Sequence, residues 1–128
     1  MIAVDTSALM AIVLGEVESG ACIAALEIES DVLISAGTVA EALIVAGRRN
    51  VSDVMTDLIE GLSLNVVAVT PASAHRIAQA YDRWGRGMHP AGLNFGDCFA
   101  YEVAKEHDCP LLYVGGDFAR TDVKGVLR

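Results

Sequence analysis

Four short apolar runs punctuate the chain, at residues 2–4, 31–35, 64–69 and 111–114, and stretches with helical spacing separate each from the next. An unbroken run such as Val32-Leu33-Ile34 suits a strand buried on both faces, the habit of parallel sheets. The alternation predicts an α/β fold: a mainly parallel sheet of four or five strands, flanked by helices on both faces. A weak fifth strand is expected near residues 123–127.

The segments between the strands carry helix signals. Residues 8–14 resume apolar sequence after Asp5-Thr6-Ser7, and Ser19 is placed to cap a second helix through Ile28. Thr38 precedes Glu41 by three positions, a capping-box spacing for a helix that runs to about Arg48. Val51, Val54, Met55, Leu58 and Ile59 form one stripe on a helix over residues 52–62. Pro71 suits the first turn of a helix to about Tyr81, and a last helix is expected over residues 97–107. Between Arg83 and Gly96, four glycines and Pro90 mark a loop.

With 128 residues, 53% of them hydrophobic, residues 1–128 are expected to form a single domain around one core. The start has no basic leader, and no apolar run nears the roughly 20 residues of a membrane helix. A soluble, cytoplasmic protein is the expectation. Cys22, Cys98 and Cys109 show no CxxC spacing and are expected to be reduced, buried thiols. A net charge of −8 argues against a general nucleic-acid coat protein, since backbone binding rests on Lys and Arg. A carboxylate cluster that binds a divalent cation, or a basic partner protein, would reverse that argument locally.

Ligands of open parallel sheets bind beyond the carboxyl ends of the strands. Asp5 follows the first strand, Glu41 lies early in the helix after the second, Asp97 opens the helix after the glycine-rich loop, and Asp117 follows the fourth strand. Each has a structural explanation: a turn for Asp5 and Asp117, a capping box with Thr38 for Glu41, a helix cap for Asp97. Independent caps have no reason to converge on one end of a sheet. Gathered carboxylates repel, so a cation between them is the natural stabiliser. Mg2+ or Mn2+ prefers oxygen ligands and keeps several waters, so two direct carboxylates suffice. His75, His89 and His107 lack zinc-site spacing. Such a site suits phosphodiester hydrolysis. No Ser–His–Asp or Cys–His set is visible, and Cys98 has no nearby histidine to make it a nucleophile.

Ile2-Ala3-Val4-Asp5-Thr6-Ser7-Ala8 resembles the first motif of PIN-domain ribonucleases, and Ala40-Glu41-Ala42-Leu43 falls where their second acid belongs. Residues 89–101, with Leu93-Asn94-Phe95-Gly96-Asp97-Cys98 at their centre, resemble the third motif of VapC-type toxins. Residues 111–118 and Arg120-Thr121-Asp122 resemble the ending, so the likeness spans essentially the whole chain. The resemblance implies a PIN fold, Mg2+- or Mn2+-dependent endoribonuclease activity, a homodimer, and inhibition by a cognate VapB-type antitoxin whose C-terminal segment enters the active-site groove. Carried over by position, Asp5 and Asp97 are the direct metal ligands, and Glu41 and Asp117 complete the acidic site. Gly116 stands where relatives often carry an acid or amide, which leaves Asp122 as the second choice for the fourth acid. Thr6 and Asn94 are candidates for hydrogen bonding to the carboxylates.

Arg83, Trp84, Arg86 and His89 bracket the loop before Asp97, an arrangement suited to phosphate contact and base stacking on single-stranded RNA. For Trp84 a buried packing role is the preferred reading. Two rival functions remain at this point. A haloacid-dehalogenase-like phosphatase also places Asp after its first strand, but Ser7 stands where it usually has Asp, and only Lys105 and Lys124 are present to neutralise phosphate. A non-catalytic metal- or RNA-binding module is the other.

Overall fold

The residues of β1 (Ile2–Val4) are all buried, because apolar layers cover both faces of this strand. The computed structural model describes residues 1–127. Parallel to β1 run β2 (Val32–Ser35) on one side and β4 (Leu111–Leu112) on the other, and β3 (Asn65–Val67) pairs with the outer edge of β2. The four-stranded order is β3-β2-β1-β4. Ile2 pairs with Val32 and Ala3 with Leu33 and Leu111, so the strand ends are level and their carboxyl ends share one edge.

The two-residue period of a strand sends successive side chains to opposite faces. Ala3, Leu33 and Leu111 enter a layer built with α5 (Pro71–Trp84) and α6 (Phe95–Glu106). Ile2, Val4, Val32, Ile34 and Leu112 enter the other, with α1 (Thr6–Leu14), α2 (Ser19–Ile28), α3 (Ala36–Arg48) and α4 (Ser52–Gly61). Helices thus cover both faces, as the alternation predicts. Cys22, Cys98 and Cys109 are free, buried thiols. No single described helix is long and apolar enough to cross a membrane.

Several local expectations are corrected. Ser19 lies inside α2, whose N-cap is Glu18 without a side-chain bond. Ser35, not Thr38, caps α3: its hydroxyl accepts the Gly37 N–H at 3.2 Å, so the helix starts three residues earlier and the Thr38–Glu41 capping box does not form. β3 and β4 are shorter than their apolar runs, since a run of β-formers makes a ladder only where a partner strand lies alongside. The fifth strand reduces to one bridge, in which Leu111 N–H donates to Lys124 O and Val126 N–H to Leu111 O. α5 continues past Tyr81 to Trp84, and α6 opens at Phe95 because Asn94 caps it.

Candidate active site

β1 ends directly in α1, and Asp5 is the residue at the junction. As N-cap, its Oδ2 accepts from the Ser7 N–H at 3.0 Å and the Ser7 hydroxyl at 2.6 Å. Ser7 Oγ in turn accepts the Val114 N–H at 3.0 Å, which locks the end of β4 to the start of α1. Ser7 is a positioning residue that the sequence reading missed, although its place two after Asp5 is the usual N-cap partner spacing. Asp5 is 3% exposed, and its Oδ1 is buried without any hydrogen-bond partner. Desolvation pushes its carboxyl up to about 7 against the pull of the Ser7 bonds, and the nearby Asp97 and Glu41 charges push the same way.

Glu41 reaches the site from the second turn of α3. With Ser35 as the cap, its carboxylate owes nothing to the helix end, and Oε1 accepts the Thr6 hydroxyl at 2.6 Å. The opposite side of that carboxylate rests on Gly96, where a Cβ would collide with it. Glycine at this position is what lets α3 and α6 bring Glu41 beside Asp97. Asp97 is the third residue of α6 and closes a capping box: Asn94 N–H donates to Asp97 Oδ2 at 3.0 Å, and Asp97 N–H to Asn94 Oδ1 at 2.8 Å. The cap and the site are therefore one residue. Burial raises the Asp97 carboxyl to about 6, opposed by the Asn94 bond; Asp117 and Glu41 add to the rise and Arg86 opposes it.

Asp117, exposed after the turn that follows β4, stands near enough to Asp97 to raise its carboxyl. Asp122 is engaged elsewhere. Its carboxylate accepts the Tyr101 hydroxyl at 2.6 Å and pairs with Lys105 at 3.3 Å and Arg83 at 3.7 Å. Lys105 is thereby occupied, and Lys124 sits by the opposite end of β4, where its carbonyl accepts Leu111 N–H, so neither lysine serves the acids as the phosphatase reading needs.

Trp84 is a packing anchor rather than an open stacking surface. It is buried, donates to the Tyr101 hydroxyl at 2.9 Å, and is covered by Arg83 at 4.5 Å and by the edge of His89 at 4.7 Å. The exposed ring at the rim is Phe95, 69% exposed on the first residue of α6 and braced edge-on by Phe99. Cys98 is buried, donates to Asn94 O, and is pushed up to about 11 by desolvation, which removes it as a nucleophile.

The donor set fits a hard divalent cation. An unpartnered buried carboxylate oxygen on Asp5, with two further carboxylates close enough to raise its pKa, is an arrangement that positive charge stabilises. Among the described residues no three His, Cys, Asp or Glu side chains are drawn together as one ligand cage. A hard ion that keeps much of its water needs few direct protein ligands.

The PIN domain model matches residues 2–124. Ribonuclease VapC36 of Mycobacterium tuberculosis is 40% identical over 125 residues, covering 94% of this chain and 90% of that protein. VapC28 of the same organism is 39% identical over 128 residues, covering 97% and 96%. Among solved structures, M. tuberculosis VapC20, described as a sarcin–ricin loop cleaving toxin, superposes with a TM-score of 0.80 at 19% identity over 98% of each chain. A toxin–antitoxin complex from Klebsiella pneumoniae gives 0.71 at 18% identity, covering 95% of this chain and 93% of the other. Fold, acid placement and full-length similarity agree, and the chain belongs to the PIN-domain family, among its VapC ribonucleases.

Proposed function

We propose that this VapC-type ribonuclease is the toxin of a toxin–antitoxin pair and acts as a single PIN domain that cuts RNA phosphodiesters with Mg2+ or Mn2+. Asp5 and Asp97 hold the ion, and Glu41 and Asp117 complete the site. The observation that carries this reading is the buried, unpartnered Oδ1 of Asp5 beside acids contributed by α3 and α6. Bound there, such an ion offsets charge on the phosphate oxygens and acidifies water.

The side chains divide the remaining work. Ser7 fixes one oxygen of Asp5 and leaves the other for coordination. Asn94 does the same for Asp97 through Oδ2. Thr6 holds Glu41 through Oε1 while Oε2 packs on Gly96, which fixes the carboxylate beside Asp97 as the base for the attacking water. In the hydrolysis, the water oxygen bonds to phosphorus as the bond from phosphorus to one ribose oxygen breaks.

The partner follows from charge. A chain of net charge −8 attracts a basic segment, and an antitoxin arginine inserted at the acidic end of the sheet would pair with the carboxylates. Replacing Asp5 and Asp97 together by Asn is expected to weaken antitoxin binding at least tenfold; unchanged affinity in calorimetry rejects this mode of inhibition.

Purified protein incubated with structured and unstructured RNAs should cut in Mg2+ or Mn2+ and stop in EDTA. Asp97→Asn should lose at least a hundredfold in rate. Cleavage that persists in EDTA or in the variant rejects the mechanism, and RNA bound but never cut supports the non-catalytic module.

A further inference from the structure

Of the described lysines and arginines, Arg76, Arg83 and Lys105 are ion-paired, and Arg48, Arg49, Arg86, Arg120 and Lys124 are not. Arg76 pairs with Glu102 and Glu106, and Arg83 and Lys105 with Asp122, around a hollow of about 240 Å³ between α5 and α6. Those charges are already neutralised. Arg86 and Arg120 are exposed, and among the described residues neither makes an ion pair.

Both belong to the acidic end of the sheet. A hollow of about 260 Å³ is lined by Pro90, Ala91, Gly116, Asp117 and Arg120, so it opens beside the fourth acid. One wall is the loop between α5 and α6, and it is firmly built. Gly85 bridges Leu93, Arg86 N–H donates to Leu93 O at 3.0 Å, Ala91 N–H donates to His89 Nδ1 at 3.0 Å, and His89 packs on Trp84. Arg120 rises from the turn after β4 (Phe118–Arg120) and donates to Pro90 O at 3.2 Å, which ties the second wall to the first. Arg86 leaves the same loop, and its N–H is tied to Leu93 O, next to the Asn94 that caps the helix carrying Asp97.

We infer that Arg86 and Arg120 contact the RNA phosphates flanking the scissile bond, and that the hollow Arg120 borders seats one nucleotide of single-stranded RNA next to the cut. The inference rests on the ribonuclease reading above and adds what holds the substrate there. An acidic centre repels the phosphates on either side of the one it cuts, and two unpaired guanidiniums at its margin supply the missing attraction. A fixed loop wall offers this without ordering cost on binding.

The test uses the full chain, a single-stranded RNA oligonucleotide bearing a mapped cleavage site, and Arg86→Gln, Arg120→Gln and the double variant. Arg48→Gln and Lys124→Gln, at the far end of α3 and beyond the opposite end of β4, are the controls. Each site variant should raise KM about fivefold to tenfold with kcat within about twofold, as loss of uniform binding does. In an Asp97→Asn background, which keeps the RNA intact, each should lower the slope of log affinity against log salt by about 0.7, the single-strand value for one phosphate. A merely structural role for the Arg120–Pro90 bond would leave that slope unchanged. Slope and KM unchanged in the double variant, with wild type cutting normally, overturn the inference alone. Wild type that cuts no RNA overturns the ribonuclease reading beneath it.

Discussion

Asp5 is held by its neighbours in a place where its charge is unwelcome. Its carboxyl rises from an ordinary 3.8 to about 7, so between those values the folded chain binds a proton that the unfolded chain has released. Stability of the metal-free protein therefore falls as pH rises through that window and is lowest above it. Asn at position 5 can still accept from Ser7 but carries no charge. In EDTA at pH 8, Asp5→Asn should be the more stable protein, by up to about 4 kcal/mol at the full weight of the shift, converging with wild type near pH 4. Thermal denaturation across pH reads this directly, and parallel curves would refute it. Added Mn2+ should stabilise wild type and not the variant, more strongly at pH 8 than at pH 5, because ligands must shed protons to bind. Thr38 carries a different burden: its hydroxyl is buried with no partner. Thr38→Val keeps the shape and removes the orphan, so the melting temperature should rise, with a gain of about 1 kcal/mol.

Helices meet at this site only where glycine permits. A Cβ on Gly96 would run into the Glu41 carboxylate, the movable end of a long side chain, so Gly96→Ala should fold normally yet lose at least tenfold in cleavage. A Cβ on Gly37 would instead strike the Phe99 ring, which is packed against the α5–α6 layer and cannot swing away freely. Gly37→Ala should cost about 1–3 kcal/mol of stability, the usual penalty of overpacking. A normal circular dichroism spectrum with lost activity for the first, and a lowered melting temperature for the second, separate the two effects. At this level the amino-acid order was only partly legible. The spacing of Thr38 and Glu41 resembles a capping box, but Ser35 leaves the strand in the right geometry to cap first, and Glu41 is thereby freed for Thr6. Trp84 is buried, as its sequence setting favours, whereas the arginines beside it looked alike in sequence; packing pairs Arg83 with Asp122 and, among the described residues, leaves Arg86 without an ion pair.

The level parallel strands give the protein one acidic edge, and everything functional assigned here lies along it. Apolar side chains also reach the surface on α3 and α4, at Leu43, Ile44 and Val54, while Met55 of α4 is wholly consumed by the core. The homodimer that the family resemblance implies would have these residues as apolar surface on α3 and α4. Sedimentation at micromolar concentration is expected to show a dimer of the 13.5 kDa chain, and a monomer would reject it. The order of residues determined by itself the strand and helix alternation and the parallel sheet, because continuous apolar runs are local signals. Only the tertiary structure decided that Asp122 is engaged by Tyr101, Lys105 and Arg83, that Ser7 and Thr6 position the carboxylates, and that, among the described residues, Arg86 and Arg120 make no ion pair. Those outcomes depend on contacts between segments up to 107 residues apart, such as Val114 with Ser7, and no local pattern encodes which of several like charges will find a partner first.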